Sequence, residues 1–121
     1  PDMTCVDGED VRDVLAGRSS ARERPLFWEW RFGIPGHVWH RSPQLAVRSG
    51  NWKLLMNADG SRKELYDIPA DRMEIRDLCR VHPDIARSLS ETLLAWKATL
   101  PPGQSMPESG RNDYPWPAQR T

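Results

Sequence analysis

Leu45-Ala46-Val47-Arg48-Ser49-Gly50-Asn51-Trp52-Lys53-Leu54-Leu55 is the stretch that decides the fold. Two short apolar runs flank Ser-Gly-Asn, and Gly50 is able to take the positive φ that a tight turn demands. Such a pattern predicts a β-hairpin, with strands over 43–48 and 52–56. Ala58-Asp59-Gly60-Ser61 is a second turn signal, and residues 63–66 follow as another strand.

Working back from the hairpin, residues 25–31 (PLFWEWR) read as the first strand, because Pro25 can only open one. Period-two alternation puts Leu26, Trp28 and Trp30 on one face and Phe27, Glu29 and Arg31 on the other. The first face is apolar and the second mixed. Upstream, Val11, Val14 and Leu15 have helical spacing over 9–16, and Gly17 is a C-terminal stop.

Working forward, residues 67–81 are a charged connection, with Ile68, Met73, Ile75 and Leu78 as the expected pins to the sheet. Pro83 suits a first helical position. Ile85, Leu89, Leu93, Trp96 and Leu100 recur at steps of four, four, three and four, one face of an amphipathic helix. Pro101-Pro102-Gly103 ends it. The last residues are rich in Pro, Gly and polar side chains and are expected to be extended or disordered unless something holds them. Tyr114-Pro115-Trp116-Pro117 has the make-up of an aromatic anchor.

The predicted fold is α+β: a small four-stranded antiparallel sheet packed against a C-terminal amphipathic helix, with an extended Pro-rich tail. Three regions follow: a linker and short helix over 1–24, the α+β subdomain over 25–100, and the tail over 101–121. One helix covers one face of a sheet, so water or a second domain must cover the other. Six Trp favour a second domain.

Bulk properties narrow the function classes. A chain of 121 residues is one small domain, burying ~65% of the surface its unfolded form exposes. Apolar residues make up 38% and mean hydropathy is −0.70, on the polar side for a self-sufficient globule. Basic and acidic residues number 17 each, which gives no electrostatic case for nucleic acid or an anionic membrane. No run of eighteen apolar residues supports a membrane span. Cys5 and Cys79 make no disulfide framework and leave the redox compartment open. The first residue is Pro1, as expected for a processed product or a piece of a longer chain.

Chemistry-bearing patterns are sparse. Cys79 and His82 lie three apart, yet no third orienting group or oxyanion site accompanies them. His37, His40, Cys79 and His82 are four N/S side chains of the type zinc takes, but their spacing is not that of a finger. Asn57-Ala58-Asp59-Gly60-Ser61 has oxygens and a Gly turn, as calcium loops do, and reads better as a hairpin turn. The loop over 31–41 concentrates two His, two Arg and a Trp between strands, where binding residues gather. His37, Trp39, His40 and Arg41 are the candidate site residues, suited to an anionic or sugar ligand.

Several pieces, in order, resemble the C-terminal subdomain of the sulfatase family, hydrolases that share a fold with alkaline phosphatases. They are Asp7-Gly8 before a short helix and Gly17, then Pro25-Leu26-Phe27-Trp28-Glu29, Ala46-Val47-Arg48 and Asn51-Trp52-Lys53-Leu54. Glu64-Leu65-Tyr66-Asp67-Ile68, Asp71, Glu74 and Asp77-Leu78 follow, then Pro83 through Leu89 to Trp96. The resemblance implies a sheet and helix packed beside a large α/β catalytic domain, the partner of this region within one parent chain. It implies a formylglycine, made from Cys or Ser in a Cys/Ser-x-Pro-x-Arg motif, and a calcium ion, both in that domain. Neither Cys5 nor Cys79 has that motif, and Ser105-Met106-Pro107-Glu108 is followed by Ser109 where Arg is required. The expectation is a sulfuric ester hydrolase fragment, inactive alone and prone to self-association, whose residues 37–41 form part of a substrate-pocket rim. A periplasmic or secreted location is open for the parent. The rival expectation is a free-standing Trp-rich module for anionic or sulfated glycans.

Overall fold

The computed structural model describes residues 8–18, 21–31, 42–105 and 109–110. Among them are a short helix α1 (Arg12–Leu15), strands β1 (Leu26–Glu29), β2 (Leu45–Ser49), β3 (Trp52–Met56) and β4 (Glu64–Asp67), and a long helix α2 (Pro83–Thr99). The four strands form one antiparallel sheet in the order β1-β2-β3-β4. This is the α+β arrangement the sequence predicts.

The central hairpin has a two-residue loop. Ser49 pairs with Trp52, and Gly50 and Asn51 lie between them. Gly50 has φ +57°, at the first central position where a primed turn needs a residue without Cβ strain. That turn fixes the register, so Val47 faces Leu54 and Leu45 faces Met56. Period-two alternation then sends Leu45, Val47, Leu54, Met56 and Leu65 to one face, all essentially buried. Ala86, Leu89 and Leu93 of α2 pack on them and complete the core.

α2 starts at Pro83, whose missing N–H costs nothing in the first turn. It stops where Leu100 turns extended (φ −78°, ψ 145°) ahead of Pro101, which disfavours helix in the residue before it. Ile85 and Trp96 lie at the margin of the core, and the helix centre is closer-packed than the Leu spacing implies. Small Ala86 and Ser90 are buried there, and the Ser90 hydroxyl donates to the Ala86 carbonyl at 2.7 Å, so its polarity is satisfied within the helix.

The sequence left open which face of β1 meets the core, and one expectation about the connection after β4 is corrected. On β1 the mixed face, not the Trp face, meets the helix: Phe27 stacks on Trp96 with ring centroids 5.0 Å apart. Glu29 sits beside it and is bonded by Lys97 of α2 and, at 2.7 Å, by Arg31. The pairing Phe27↔Val47 is the reason, since β1 must keep the parity of β2. Trp28 and Trp30 therefore point to the other side, 48% and 39% exposed.

In the connection after β4, Ile68 and Leu78 pack as expected, but Met73 and Ile75 are exposed. Acidic side chains hold this segment instead. The Asp71 carboxylate accepts from the backbone N–H groups of Ile75 and Arg76 at 2.9 and 2.8 Å. Asp77 Oδ1 accepts from Leu65 and Cys79 N–H at 3.0 and 2.9 Å. Asp77 thus satisfies part-buried backbone donors that would be costly to leave unpaired, and Asp71 closes an exposed turn, so carboxylates hold the segment where apolar pins were expected.

Candidate interaction surface

The helix-free face of the sheet carries a concave groove of about 560 Å³. Trp28 and Trp30 of β1 and its continuation form one wall. Leu55 lies in the floor, packed with Tyr66, Ala46 and Ile68 in a second, smaller apolar cluster. Arg48, Lys53 and Glu74 supply the charged lining.

The hairpin register explains the charges. Arg48 and Lys53 are directly opposed across β2 and β3, a pair of like charges that alone is unfavourable. Glu74 offsets this, its carboxylate 2.6 Å from Lys53 Nζ. Glu74 has φ +54°, a left-handed conformation sparsely used by residues other than Gly. Its N–H donates to the Asp71 carbonyl at 3.2 Å, which helps to hold the bend that brings the carboxylate over the sheet. Arg48 also borders a smaller cavity with Arg22, Arg24, Leu26 and Gly50, so the groove has a cationic end.

The tail reaches this surface. The Ser109 hydroxyl donates to the Trp30 carbonyl at 3.0 Å, and the Gln44 side-chain amide donates to the Ser109 carbonyl at 3.3 Å. Asn57 donates from Nδ2 to the Gly110 carbonyl at 2.7 Å and accepts from Gln44 N–H at 3.2 Å. Gly110 has φ +71°, and a Cβ there would lie 2.2 Å from Asn57 Oδ1. Only Gly fits such an approach. The tail expected to be loose is thus anchored at 109–110; residues 106–108 and 111–121 lie outside the described residues.

A buried charged group sits on the same sheet face at β4. Glu64 is fully buried, 3.8 Å from the Arg62 guanidinium, which is itself almost wholly buried. The Tyr66 hydroxyl donates to Glu64 Oε2 at 3.2 Å. Desolvation dominates, with Asp77 and Glu74 adding repulsion against the help of Arg62 and Tyr66, and the Glu64 carboxyl is pushed up to about 7. Burial also raises the Tyr66 phenol.

His37, Trp39, His40 and Arg41, the candidates drawn from the loop, lie outside the described residues. Of the other two zinc candidates, Cys79 packs against the main core and burial pushes its thiol up to about 12. A thiolate is the form that binds metal or attacks carbon. His82 stands edge-on to Trp52, ring centroids 5.1 Å apart. Among the described residues no group of three His, Cys, Asp or Glu is placed to hold a metal ion, and no helix is long and apolar enough to cross a membrane. Asn57-Ala58-Asp59-Gly60-Ser61 is a hairpin turn: Asp59 accepts from Ser61 N–H at 2.9 Å, and Asn57 serves the tail.

Sequence reasoning missed Trp28, Arg48, Lys53, Glu74 and the Ser109–Gly110 anchor as one surface. The two-residue hairpin loop carries the signal for Arg48 opposite Lys53. Nothing local signals the anchor, which spans more than fifty residues of chain.

An uncharacterized sulfatase of Schizosaccharomyces pombe is 38% identical over 96 residues, covering 72% of this chain. Most of the chain is therefore similar to a region of a sulfatase. The chain spans 17% of that relative's length. No family model matches the chain.

Proposed function

We propose that this chain is the C-terminal subdomain of a sulfatase-type sulfuric ester hydrolase, completing the fold of a catalytic domain that lies elsewhere in the parent chain. The observation that carries the reading is the relative named a sulfatase, matched over most of this chain and a small part of itself. A second observation agrees. None of the four residues of α1 is buried, and Val14 and Leu15 are 48% and 83% exposed, beside an equally open Val11. A four-residue helix with exposed Val14 and Leu15 is unstable by itself and suits a contact with a larger body. Exposed Met73, Ile75 and Val81 add to that apolar surface.

In this reading the region is structural. Calcium and formylglycine belong to the catalytic domain. The described residues do not fit either group: the described cysteine is half-buried, protonated and outside a Cys-x-Pro-x-Arg motif, and no three of the described His, Cys, Asp or Glu side chains are placed to hold a metal ion. Residues 1–24 act as the linker, 25–100 as the subdomain and 101–121 as the tail. His37, Trp39, His40 and Arg41 contribute to the substrate-pocket rim.

The test is the size of the native polypeptide, detected with an antibody raised to this chain, together with an assay of the isolated chain on an aryl sulfate. The reading expects a band several times heavier than 13.9 kDa and no turnover by the isolated chain, with or without calcium. A native band at that mass, or turnover that tracks this chain through purification, overturns it. The rival reading, a module for anionic glycans, draws on Trp28, Trp30 and Arg48 in one groove. It expects saturable binding of a sulfated glycan that is lost in Trp28→Ala.

A further inference from the structure

We propose that β1 is the edge through which two copies of this chain join, strand beside strand, in an antiparallel pair centred on Trp28. The four-stranded sheet of each copy then continues into that of the other. The proposal goes beyond the sulfatase reading and does not depend on it. It rests on how differently the chain treats its two sheet edges.

β4 lies at one edge, and its outward backbone groups are closed. Leu65 N–H donates to Asp77 Oδ1 at 3.0 Å, and the Leu65 carbonyl accepts from Leu78 N–H at 2.8 Å. The Asp67 carbonyl accepts from Asp71 N–H at 2.7 Å. β1 lies at the other edge. Trp30 N–H donates to the Gln44 carbonyl, one step past the pair Glu29↔Leu45. By the alternation of an antiparallel ladder, Leu26, Trp28 and Trp30 therefore bond towards β2, while Phe27 and Glu29 turn their N–H and C=O groups away from it. Among the described residues nothing bonds these outward groups. An open edge of this kind is a template for an added strand.

Self-complementarity identifies the partner as a second copy. In a two-fold pairing centred on Trp28, Phe27 of each copy opposes Glu29 of the other, and every outward N–H and C=O of both strands is satisfied. A pairing centred on Phe27 would set Glu29 against Pro25, which has no N–H, and one centred on Glu29 would oppose two carboxylates. Trp28 then faces its own copy at a non-hydrogen-bonded position, where side chains come closest. It is 48% exposed in the single chain, and an aromatic pair across the two strands covers it. A charge on an edge strand is a common guard against such pairing. Here the Glu29 carboxylate is already paired by Arg31 and Lys97 of its own chain, and it meets only Phe27 of the second copy.

The test is sedimentation equilibrium of the full chain. The mass is expected to rise from 13.9 kDa to twice that value, with a dissociation constant below about 0.1 mM. Glu29→Pro removes an outward N–H that the sheet does not use, so the monomer is expected to keep its circular dichroism while association weakens by about tenfold or more. Glu29→Gln keeps that N–H and is expected to keep the dimer. The register is read by Trp28→Cys in a chain carrying Cys5→Ser and Cys79→Ala. Mild oxidation is expected to link two copies at position 28, because directly opposed strand residues lie within disulfide reach. Trp30→Cys in the same background is offset from its own copy and is expected to stay unlinked. Should Glu29→Pro fail to fold, the two cysteine variants decide. A chain still monomeric at about 0.1 mM overturns the proposal. So does a dimer that a folded Glu29→Pro leaves intact, or one in which Trp30→Cys links as readily as Trp28→Cys.

Discussion

The two faces of the sheet are built from the same four strands and the same alternation, yet they are held by different physics. The helix side is closed by Leu45, Val47, Leu54, Met56 and Leu65 against Ala86, Leu89 and Leu93, all from segments that are short, local and strongly patterned. The other side mixes Leu55 and Tyr66 with Glu64, Lys53 and Arg48 and is partly open at Trp28 and Trp30. Lys53 is paired from afar, by Glu74 of the connection after β4, and Gln44 and Asn57 beside the groove bond the anchored residues 109–110. One face is a core; the other is a surface waiting for partners that come late in the chain or from outside it.

That contrast can be broken by substitution. Leu54→Ala removes a wholly buried side chain from the helix face, and a loss of about 3–5 kcal/mol is expected in urea unfolding. A loss under about 1 kcal/mol would mean that the helix collapses onto the gap, and the helix face would not be a close-packed core. On the other face, Arg62→Ala removes the cation beside buried Glu64; a cost of about 1–2 kcal/mol is expected at pH 8, because a carboxyl already at about 7 takes up a proton rather than remain a stranded charge. At pH 5 the cost should be much smaller, because Glu64 is then neutral.

The same group sharpens the comparison through pH. The folded-state value of Glu64 is raised, from 4.5 to about 7. Its contribution to stability is therefore fully present below about pH 4.5 and is lost as pH rises through about 7. Unfolding midpoints should fall by the equivalent of about 1–3 kcal/mol across that window from this group, and Glu64→Gln should flatten the profile. A profile unchanged in Glu64→Gln would show that the carboxyl is not desolvated.

The smallest effect is expected at the open wall of the groove. Trp28→Ala removes a half-exposed side chain and should cost about 1 kcal/mol or less in the isolated chain. A cost near that of Leu54→Ala would mean that the Trp28 side chain is packed rather than half-open.

Particular residues show how far the sequence reached. Gly50 between two apolar runs announced the hairpin, and Pro83 with the Leu89–Leu93–Trp96 spacing announced α2. Both signals are local and repeat within a few residues. The facing of Phe27 was not legible, because β1 alone offers a more apolar face in Leu26, Trp28 and Trp30; pairing with Val47 reverses that choice. Met73 and Ile75 looked like pins because they are apolar, but Asp71 and Asp77 satisfy the backbone there and leave them outside. The loop candidates His37, Trp39, His40 and Arg41 lie outside the described residues, while the groove emerged from residues of ordinary strand character.

The sequence by itself determined the elements: four strands of an antiparallel sheet, two of their connections marked as turns, with one amphipathic helix on it, since turn chemistry and period carry that information over a few residues. Tertiary structure alone decided which face of β1 is inside, that Arg48 and Lys53 need Glu74, and that Ser109 and Gly110 close on Trp30, Gln44 and Asn57. Those outcomes depend on cross-strand register and on contacts between segments twenty to eighty residues apart, where no local pattern records the partner.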